Sequence, residues 1–144
     1  MSLAAALRAS LAERRPAVLV SVAEALGSTP REAGAAMLVS VDALAGTVGG
    51  GALEMEAVLE ARRMLAEGLA AGRLDVPLGP AIGQCCGGRV VLDLQRLDAE
   101  TFAAFERNRE AERASAPAVL VFGAGHTGQA LARALLPLPF RLQV

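Results

Sequence analysis

Two adjacent cysteines, Cys85 and Cys86, stand in the glycine-bracketed segment Gly83-Gln84-Cys85-Cys86-Gly87-Gly88. Neighbouring cysteines can form only a strained vicinal disulfide, so in a reducing compartment both would be thiols. Thiolates exposed in such a loop could bind a soft metal or exchange sulfur, whereas buried thiols would only pack as small hydrophobes. Structural cysteines usually lie inside helices and strands, and both residues are therefore candidate metal-binding residues.

A second polar segment, Gly27-Ser28-Thr29-Pro30-Arg31, follows a run rich in β-branched residues. The hydroxyls of Ser28 and Thr29 and the guanidinium of Arg31 are suited to a phosphate or another oxyanion. The same residues would also make an ordinary connection between two strands. The segment alone leaves the choice between these two roles open.

Three successive glycines, Gly49, Gly50 and Gly51, precede a strongly periodic helical pattern. Residues without a Cβ adopt positive φ readily, and three in a row can turn several N–H groups toward one concavity at a helix N-terminus. The segment is thus a second candidate anion site, with a flexible loop as the alternative. Glu54, in the first turn, would either complement the helix dipole or accept hydrogen bonds from a ligand.

A further glycine motif, Gly123-Ala124-Gly125-His126-Thr127-Gly128, lies between an apolar strand and a helix. Gly123 permits a tight turn, Gly125 the close approach of a pyrophosphate, and Gly128 close packing of strand on helix. The pattern predicts a Rossmann-type half-domain. The acidic residue that selects an NAD ribose would fall about 20 residues on, at or beyond Val144, so the motif alone does not establish NAD(P) as the ligand.

His126 is the only histidine in the chain. Inside the glycine loop it is a candidate contact for a bound anion, or a residue tolerated there for its size. One histidine does not make a metal site, because no matching set of spaced His and Cys residues accompanies it.

Apolar periodicity predicts the elements that carry these segments. They are, in chain order, a helix over 2–14 capped by Ser2, strands over 17–26 and 35–41, a turn over 42–46, a helix from 52 that Gly72 ends, a Gly- and Pro-rich stretch over 74–88, a strand over 89–97 and a helix from Asp98 to about Arg113. The helix after the triple glycine has an apolar stripe of Leu53, Met55, Val58, Leu59, Leu65 and Leu69. A strand over 118–122, a helix over 129–136 and a next strand reached at Val144 predict one βαβ unit.

The composition argues against several functions. All 14 basic residues are arginines, they nearly balance 15 acidic residues, and the net charge of −1 is not that of a nucleic-acid-binding domain. With four Phe and no Tyr or Trp, stacking on nucleobases is not expected. Without lysine, Schiff-base chemistry and a P-loop are ruled out. No run of about 18 residues is continuously apolar, so we expect no membrane span, and a cytoplasmic protein.

The order of these segments is more specific than any one of them. Gly27 to Arg31, then Gly46 to Glu54, then Gly83 to Gly88, followed by the Rossmann glycine motif, closely resembles the XdhC/CoxI family. The resemblance implies an α/β protein, with an N-terminal α+β XdhC/CoxI domain followed by the first βαβ unit of a Rossmann-like domain.

The resemblance also implies a function. Members of the family are similar in binding the molybdenum cofactor, molybdopterin, as cargo, in protecting it while a cysteine desulfurase supplies sulfur, and in delivering it to apo xanthine dehydrogenase. They are chaperones rather than enzymes. By this resemblance, Ser28, Thr29, Arg31 and Gly49 to Gly51 would make polar and phosphate contacts, and Cys85 and Cys86 would lie near the metal or handle sulfur.

Two domains are expected, residues 1–113 and 114–144, joined at residues 114–117. Because family members usually continue for a second domain of comparable size, this chain is expected to be a truncated form, or to have the open edge of its second sheet covered by another chain. A homo-oligomer is expected. Two alternatives remain. One is an NAD(P)-linked oxidoreductase, supported by the glycine motif, and the other is an interaction module that docks on a molybdoenzyme without binding cofactor.

Overall fold

The computed structural model describes residues 2–79, 87–136, 138 and 140–144. In chain order these form α1 (Leu3–Ala12), β1 (Ala17–Leu26), β2 (Ala36–Ser40), β3 (Leu44–Gly46), α2 (Gly51–Glu67), β4 (Ala71–Pro77), β5 (Arg89–Arg96), α3 (Ala99–Ser115), β6 (Ala118–Leu120), α4 (His126–Leu135) and β7 (Arg141–Gln143). The elements divide into two compact units, Met1–Phe102 and Ala103–Val144. This division lies within α3, and the expected domain boundary after residue 113 stays a prediction.

An antiparallel sheet is the framework of the first unit. Within the described residues it has five strands in the order β3-β2-β1-β5-β4, with every neighbouring pair antiparallel. Successive side chains of a strand point to opposite faces. Val18, Val20 and Val22 of β1 therefore share one face, where they are buried in a single apolar cluster with residues of α2.

The helix α2 packs on this face through a row of small and medium side chains. Leu53, Ala57, Ala61 and Met64 follow one another at spacings of three and four residues and are fully buried. The row corrects the predicted stripe, because Met55 and Leu59 are each 67% exposed. Short alanine side chains allow a helix to lie close to a sheet, and here they form the buried row in place of larger residues.

The first helix behaves as its sequence predicts. Ser2 caps α1, and its Oγ accepts a hydrogen bond from the backbone N–H of Ala5 at 3.3 Å. The helix packs against β2 and β3. Leu19 and Leu38, which alternate with the residues facing α2, are also buried, so both faces of the sheet are covered at its centre.

Two short strands were not predicted. The residues expected to form a turn over 42–46 include β3, which pairs with β2 from Met37 to Val39. The residues expected to be an irregular stretch include most of β4, which pairs with β5 along its whole length. Gly72 does not end α2 but lies in β4, and a Cβ there would be 3.0 Å from the sulfur of Met64. The helix ends at Glu67, and its C-cap Gly68 has a left-handed φ of 71°.

The second unit contains the predicted βαβ arrangement. Strands β6 and β7 pair in parallel, with Val119 opposite Leu142, and α4 connects them. This helix begins at His126, three residues before the predicted start. No helix in the described parts of the chain is both long and apolar enough to cross a membrane.

Candidate functional site

Loops from three parts of the chain meet at one end of the first unit's sheet. Pro30 packs on Gly49 so closely that a Cβ on that glycine would be 2.5 Å from the proline Cγ. On the other side, a Cβ on Gly88 would run into the carbonyl oxygen of Ser28. We call residues 27–31, 47–51 and 87–88 the loop cluster. It brings together the Gly27–Arg31 segment, the triple glycine and the two glycines that follow the cysteines.

Strand pairing enforces this meeting. The last residue of β1, Leu26, is paired with the first residue of β5, Arg89, so the segments just beyond them are neighbours. The β4–β5 pairing extends past the strands, because Leu78 N–H donates to the Gly88 carbonyl and Gly87 N–H donates to the Leu78 carbonyl, both at 2.8 Å. The positions of residues 27, 87 and 88 therefore depend on sheet hydrogen bonds.

The triple glycine folds around a carboxylate of its own chain. The φ angles of Gly49, Gly50 and Gly51 are 138°, 74° and 60°, all in the region that favours glycine. Oε2 of Glu54 accepts hydrogen bonds from Thr47 Oγ1 at 2.5 Å, from Val48 N–H at 3.3 Å and from Gly50 N–H at 3.2 Å. Two of the amide donors that could bind an external anion are thus directed at Glu54.

Thr47 is a residue that sequence analysis did not single out. Its hydroxyl donates to Glu54 and accepts the N–H of Gly49 at 3.1 Å, so it connects the glycine loop to the first turn of α2. The available signal was a hydroxyl residue immediately before a glycine-rich helix start, with an acidic residue in the first turn, which is similar in logic to a capping box.

The hydroxyl and guanidinium candidates lie at the surface of the loop cluster. Ser28 is exposed, and Thr29 and Arg31 are half-buried. A guanidinium nitrogen of Arg31 lies 3.4 Å from a carboxylate oxygen of Glu32. A backbone hydrogen bond of Glu32, together with the neighbouring Arg31, holds the pKa of the Glu32 carboxyl below its usual value. Arg31 is accessible to a ligand, with one exposed carboxylate as its partner.

A second arginine beside the loop cluster is already engaged. Arg89 on β5 donates two hydrogen bonds to the carboxylate of Asp75 on β4. One runs from Nε to Oδ1 at 2.6 Å, and the other from the second guanidinium nitrogen to Oδ2. These hydrogen bonds lower the pKa of Asp75 and raise that of Arg89. Arg89 therefore ties the hairpin together next to Gly88.

Cys85 and Cys86 lie outside the described residues. Their role as metal-binding residues stays a prediction that rests on the sequence. Gly87 and Gly88, which directly follow them in the chain, belong to the loop cluster.

The Rossmann glycine motif belongs to the second unit. Gly123 has a φ of 107°, and a Cβ on Gly128 would run into the carbonyl oxygen of Gly123, in keeping with the tight turn and close packing predicted for these positions. Gly125 is the N-cap of α4, and His126 is its exposed first residue. Gly123 to Gly125 thus lead directly from the residues after β6 into the N-terminus of α4.

Comparison with known proteins adds three similarities. Residues 10–76 match the model of the XdhC and CoxI family. The uncharacterized protein YqeB of Escherichia coli (strain K12) is 30% identical over 133 residues, which cover 90% of this chain and 21% of YqeB. A crystal structure described as a xanthine dehydrogenase from Bacillus halodurans aligns with a TM-score of 0.61 at 22% identity, over 79% of this chain and 36% of that chain.

These similarities differ in what they show. The family match contains the Gly27–Arg31 segment and the glycine loop through Glu54. The structural similarity shows a shared fold. The chain spans 21% of the length of the curated relative that it matches.

Proposed function

Because residues 10–76 match the model of the XdhC and CoxI family, we propose that this chain is an accessory protein of a xanthine dehydrogenase-type molybdoenzyme. In this proposal the chain binds molybdopterin as cargo and protects it while a cysteine desulfurase supplies sulfur to the molybdenum centre. It then delivers the cofactor to apo xanthine dehydrogenase. The chain is a carrier in this process and not an enzyme.

The observation that carries the proposal is the meeting of three loops in the loop cluster. Molybdopterin carries both a phosphate and a sulfur-bound metal, so a carrier needs oxyanion donors near a soft or proton-donating group. Ser28, Thr29 and Arg31 provide hydroxyl and guanidinium donors. Contacts from Pro30 to Gly49 and from Ser28 to Gly88 hold this segment between the other two loops.

Each part of the loop cluster has a separate task in the proposal. Ser28 and Thr29 donate hydrogen bonds to phosphate oxygens, and Arg31 supplies the positive charge. Gly49 and Gly88 permit close backbone packing, which orients the donors. Glu54 already accepts hydrogen bonds from two amide groups of the glycine loop. In the proposal that loop therefore serves mainly as a rigid support.

Arginine substitution tests the phosphate contact. We expect Arg31→Ala to weaken molybdopterin binding about tenfold or more, because a charge-assisted hydrogen bond is worth roughly 1.5–3 kcal/mol. The matched control is Arg107→Ala, which removes an exposed arginine from α3. This variant should bind molybdopterin as wild type does. Binding would be followed by molybdenum content and the visible spectrum of protein purified from a cofactor-producing host. Equal affinities for the two variants would contradict the proposed contact.

The cysteines are tested separately. In the proposal Cys85 and Cys86 lie near the metal or handle sulfur, so a Cys85→Ala/Cys86→Ala variant should fail to support sulfuration of the bound cofactor. Retained cofactor with unchanged affinity and normal sulfuration would show that the cysteines have no such role.

A second candidate function has its own observation. The tight turn at Gly123 and the packing of Gly128 on it favour dinucleotide binding by the second unit, as in an NAD(P)-linked oxidoreductase. Titration with NADH and with molybdopterin separates the two functions. Tight binding of NADH without pterin binding would favour the oxidoreductase. Capture of apo xanthine dehydrogenase irrespective of cofactor would instead favour a pure interaction module.

A further inference from the structure

Residues 28–31 carry the proposed oxyanion donors, but packing holds them in place rather than hydrogen bonds of the backbone. In the parts of the chain that the structure describes, none of them donates or accepts a backbone–backbone hydrogen bond. Pro30 instead packs on Gly49, and the carbonyl of Ser28 lies against Gly88. The direction of the donor side chains therefore depends on the loops that these residues touch.

Pro30 is the attachment of these residues to the glycine loop. It lies directly between the candidate donors Thr29 and Arg31. Its ring fixes its own φ, so a shift of the ring is passed to both neighbours. A Cβ on Gly49 would be 2.5 Å from the Cγ of Pro30 and 3.6 Å from a methyl carbon of the fully buried Leu53. Gly49 therefore lies against both the proline ring and a core residue.

Glu54 fixes the position of Gly49. Its Oε2 accepts the N–H groups of Val48 and Gly50, the residues on either side of Gly49, at 3.3 and 3.2 Å. Thr47 Oγ1 donates to the same oxygen and accepts the N–H of Gly49 at 3.1 Å. One carboxylate oxygen thus holds the backbone on both sides of this glycine and, through Thr47, the glycine itself.

We propose that Glu54 is a positioning residue for residues 28–31. It fixes Gly49, and Gly49 supports Pro30, which directs the donors on either side of it. The carboxylate acts through the hydrogen bonds that it accepts and does not contact the ligand. The inference rests on the proposed function for its ligand, the phosphate of molybdopterin. The link between Glu54 and residues 28–31 exists without any ligand, so it can be tested separately.

Two substitutions of Glu54 separate its hydrogen bonds from its charge. Glu54→Ala removes both, whereas Glu54→Gln removes the charge and keeps an oxygen that can accept the same donors. A carboxylate that acted by repelling a bound anion would make both variants bind more tightly. Gly68→Ala is the matched control, because it changes the other end of α2, where no atom lies within 4 Å of the Cβ position.

Backbone ¹⁵N relaxation of the ligand-free chain tests the link. We expect Glu54→Ala to lower the order parameters of Thr29 and Arg31 by about 0.2, which is roughly the difference between rigid and flexible backbone. Glu54→Gln and Gly68→Ala should keep the wild-type values. Unchanged order parameters in Glu54→Ala would overturn the proposal. If Glu54→Ala does not fold, Thr47→Val is the milder change that decides, because it removes the hydroxyl between the carboxylate and the glycine loop.

Molybdopterin binding tests the consequence for the ligand. We expect Glu54→Ala to bind about tenfold more weakly, as Arg31→Ala does, and Glu54→Gln to bind within about threefold of wild type. Pro30→Ala should weaken binding by itself, and adding Glu54→Ala to it should have little further effect, because the route is already broken. Fully additive losses would exclude the route through Pro30. A wild type that binds no molybdopterin, with order parameters that respond as expected, would contradict the proposed function and still support the positioning role.

Discussion

Glu54 is the residue that defines the glycine loop. Its carboxylate accepts the hydroxyl of Thr47 and the N–H groups of Val48 and Gly50. Three glycines before a helix in the sequence indicate that backbone N–H groups point to an anion. The sequence cannot indicate whether that anion is a ligand or a side chain, since both use the same donors. The structure shows a carboxylate from the first helical turn.

Removing this carboxylate should loosen the start of α2. We expect Glu54→Ala to lower the free energy of unfolding by about 2 kcal/mol, since charged hydrogen bonds contribute roughly 1.5–3 kcal/mol and the freed amides are half-buried. Urea unfolding measures the change. Glu110→Ala, which removes an exposed carboxylate from α3, should cost much less.

A double-mutant cycle separates the hydrogen bond from the charge. Thr47→Val keeps the shape of the side chain and removes its hydroxyl. The effects of Thr47→Val and Glu54→Ala should not add, because the two groups are bonded to each other. Strict additivity would mean that the Thr47–Glu54 contact contributes nothing to stability.

Gly49 should be harder to replace than the C-cap glycine of α2. An alanine there meets both a positive φ and the ring of Pro30, whose Cγ would be 2.5 Å away. Gly68, the left-handed C-cap of α2, has no atom within 4 Å of the Cβ position. We expect Gly68→Ala to cost about 1 kcal/mol for conformation alone, and Gly49→Ala to cost roughly 1–3 kcal/mol more for the overlap. Equal losses in thermal or urea unfolding would show that Pro30 moves away freely.

Among the elements, those with a strong period or cap were predictable. The β-branched run of β1, the run of β5 and the caps of α1 and α3 all appear where their sequences place them. β4 was missed because Gly72 and Pro77 suggested a loop, although Arg73 to Val76 alternates polar and apolar residues. β3, at three residues, is too short to show a period, and β2 induces it by pairing.

The buried face of α2 could not be predicted from hydrophobicity alone. Met55 and Leu59 are more apolar than Ala57 and Ala61, so the sequence assigned them to the core. Depth of burial depends on how closely a helix approaches its sheet, and alanine permits the closest approach. In the loop cluster the candidate residues could be named from the sequence, but the contact of Gly88 with Ser28 depends on the pairing of β1 with β5.

The cap of α3 should make stability depend on acid pH. Asp98 Oδ1 accepts the N–H of Thr101 at 2.7 Å, and this backbone hydrogen bond lowers the pKa of Asp98. A carboxyl with a lowered pKa in the folded state stabilises the protein above its unfolded pKa of about 4, and this contribution is lost as the pH falls through the folded pKa.

Two substitutions of Asp98 test the direction of this pH dependence. Asn also caps helices, so Asp98→Asn should unfold much as wild type does at pH 7 and lose less stability as the pH falls below about 4. Asp98→Ala should cost about 1 kcal/mol at pH 7. Parallel acid limbs for wild type and Asp98→Asn would show that another carboxyl governs this range.

At the scale of the whole molecule, the two units differ in how they bury apolar residues. The central apolar cluster of the first unit runs from Val18 to Leu94 in sequence. The second unit leaves Leu120, Phe122 and Leu136 largely exposed. Stability is therefore concentrated in the first unit.

A shortened chain tests this difference. We expect residues 1–113 to unfold cooperatively with the midpoint of the full chain, because they retain every residue of that cluster. A chain of residues 1–88, which lacks β5, should not fold. Circular dichroism melts measure both. The full chain should also bind an apolar fluorescent dye more strongly than residues 1–113 do. Loss of cooperative unfolding in the chain of residues 1–113 would contradict the prediction.

The pairing of β1 with β5 also bears on the order of folding. β2 pairs with β1 and β3, and β4 with β5, between strands close in sequence, whereas the β1–β5 pair joins strands far apart. Distant pairings close late, because the intervening chain must first lose its freedom. Gly27 meets Gly88 just beyond that late pairing. During synthesis, residues 27–31 therefore precede residues 87–88 by several elements, and the loop cluster is complete only after β5 has joined the sheet.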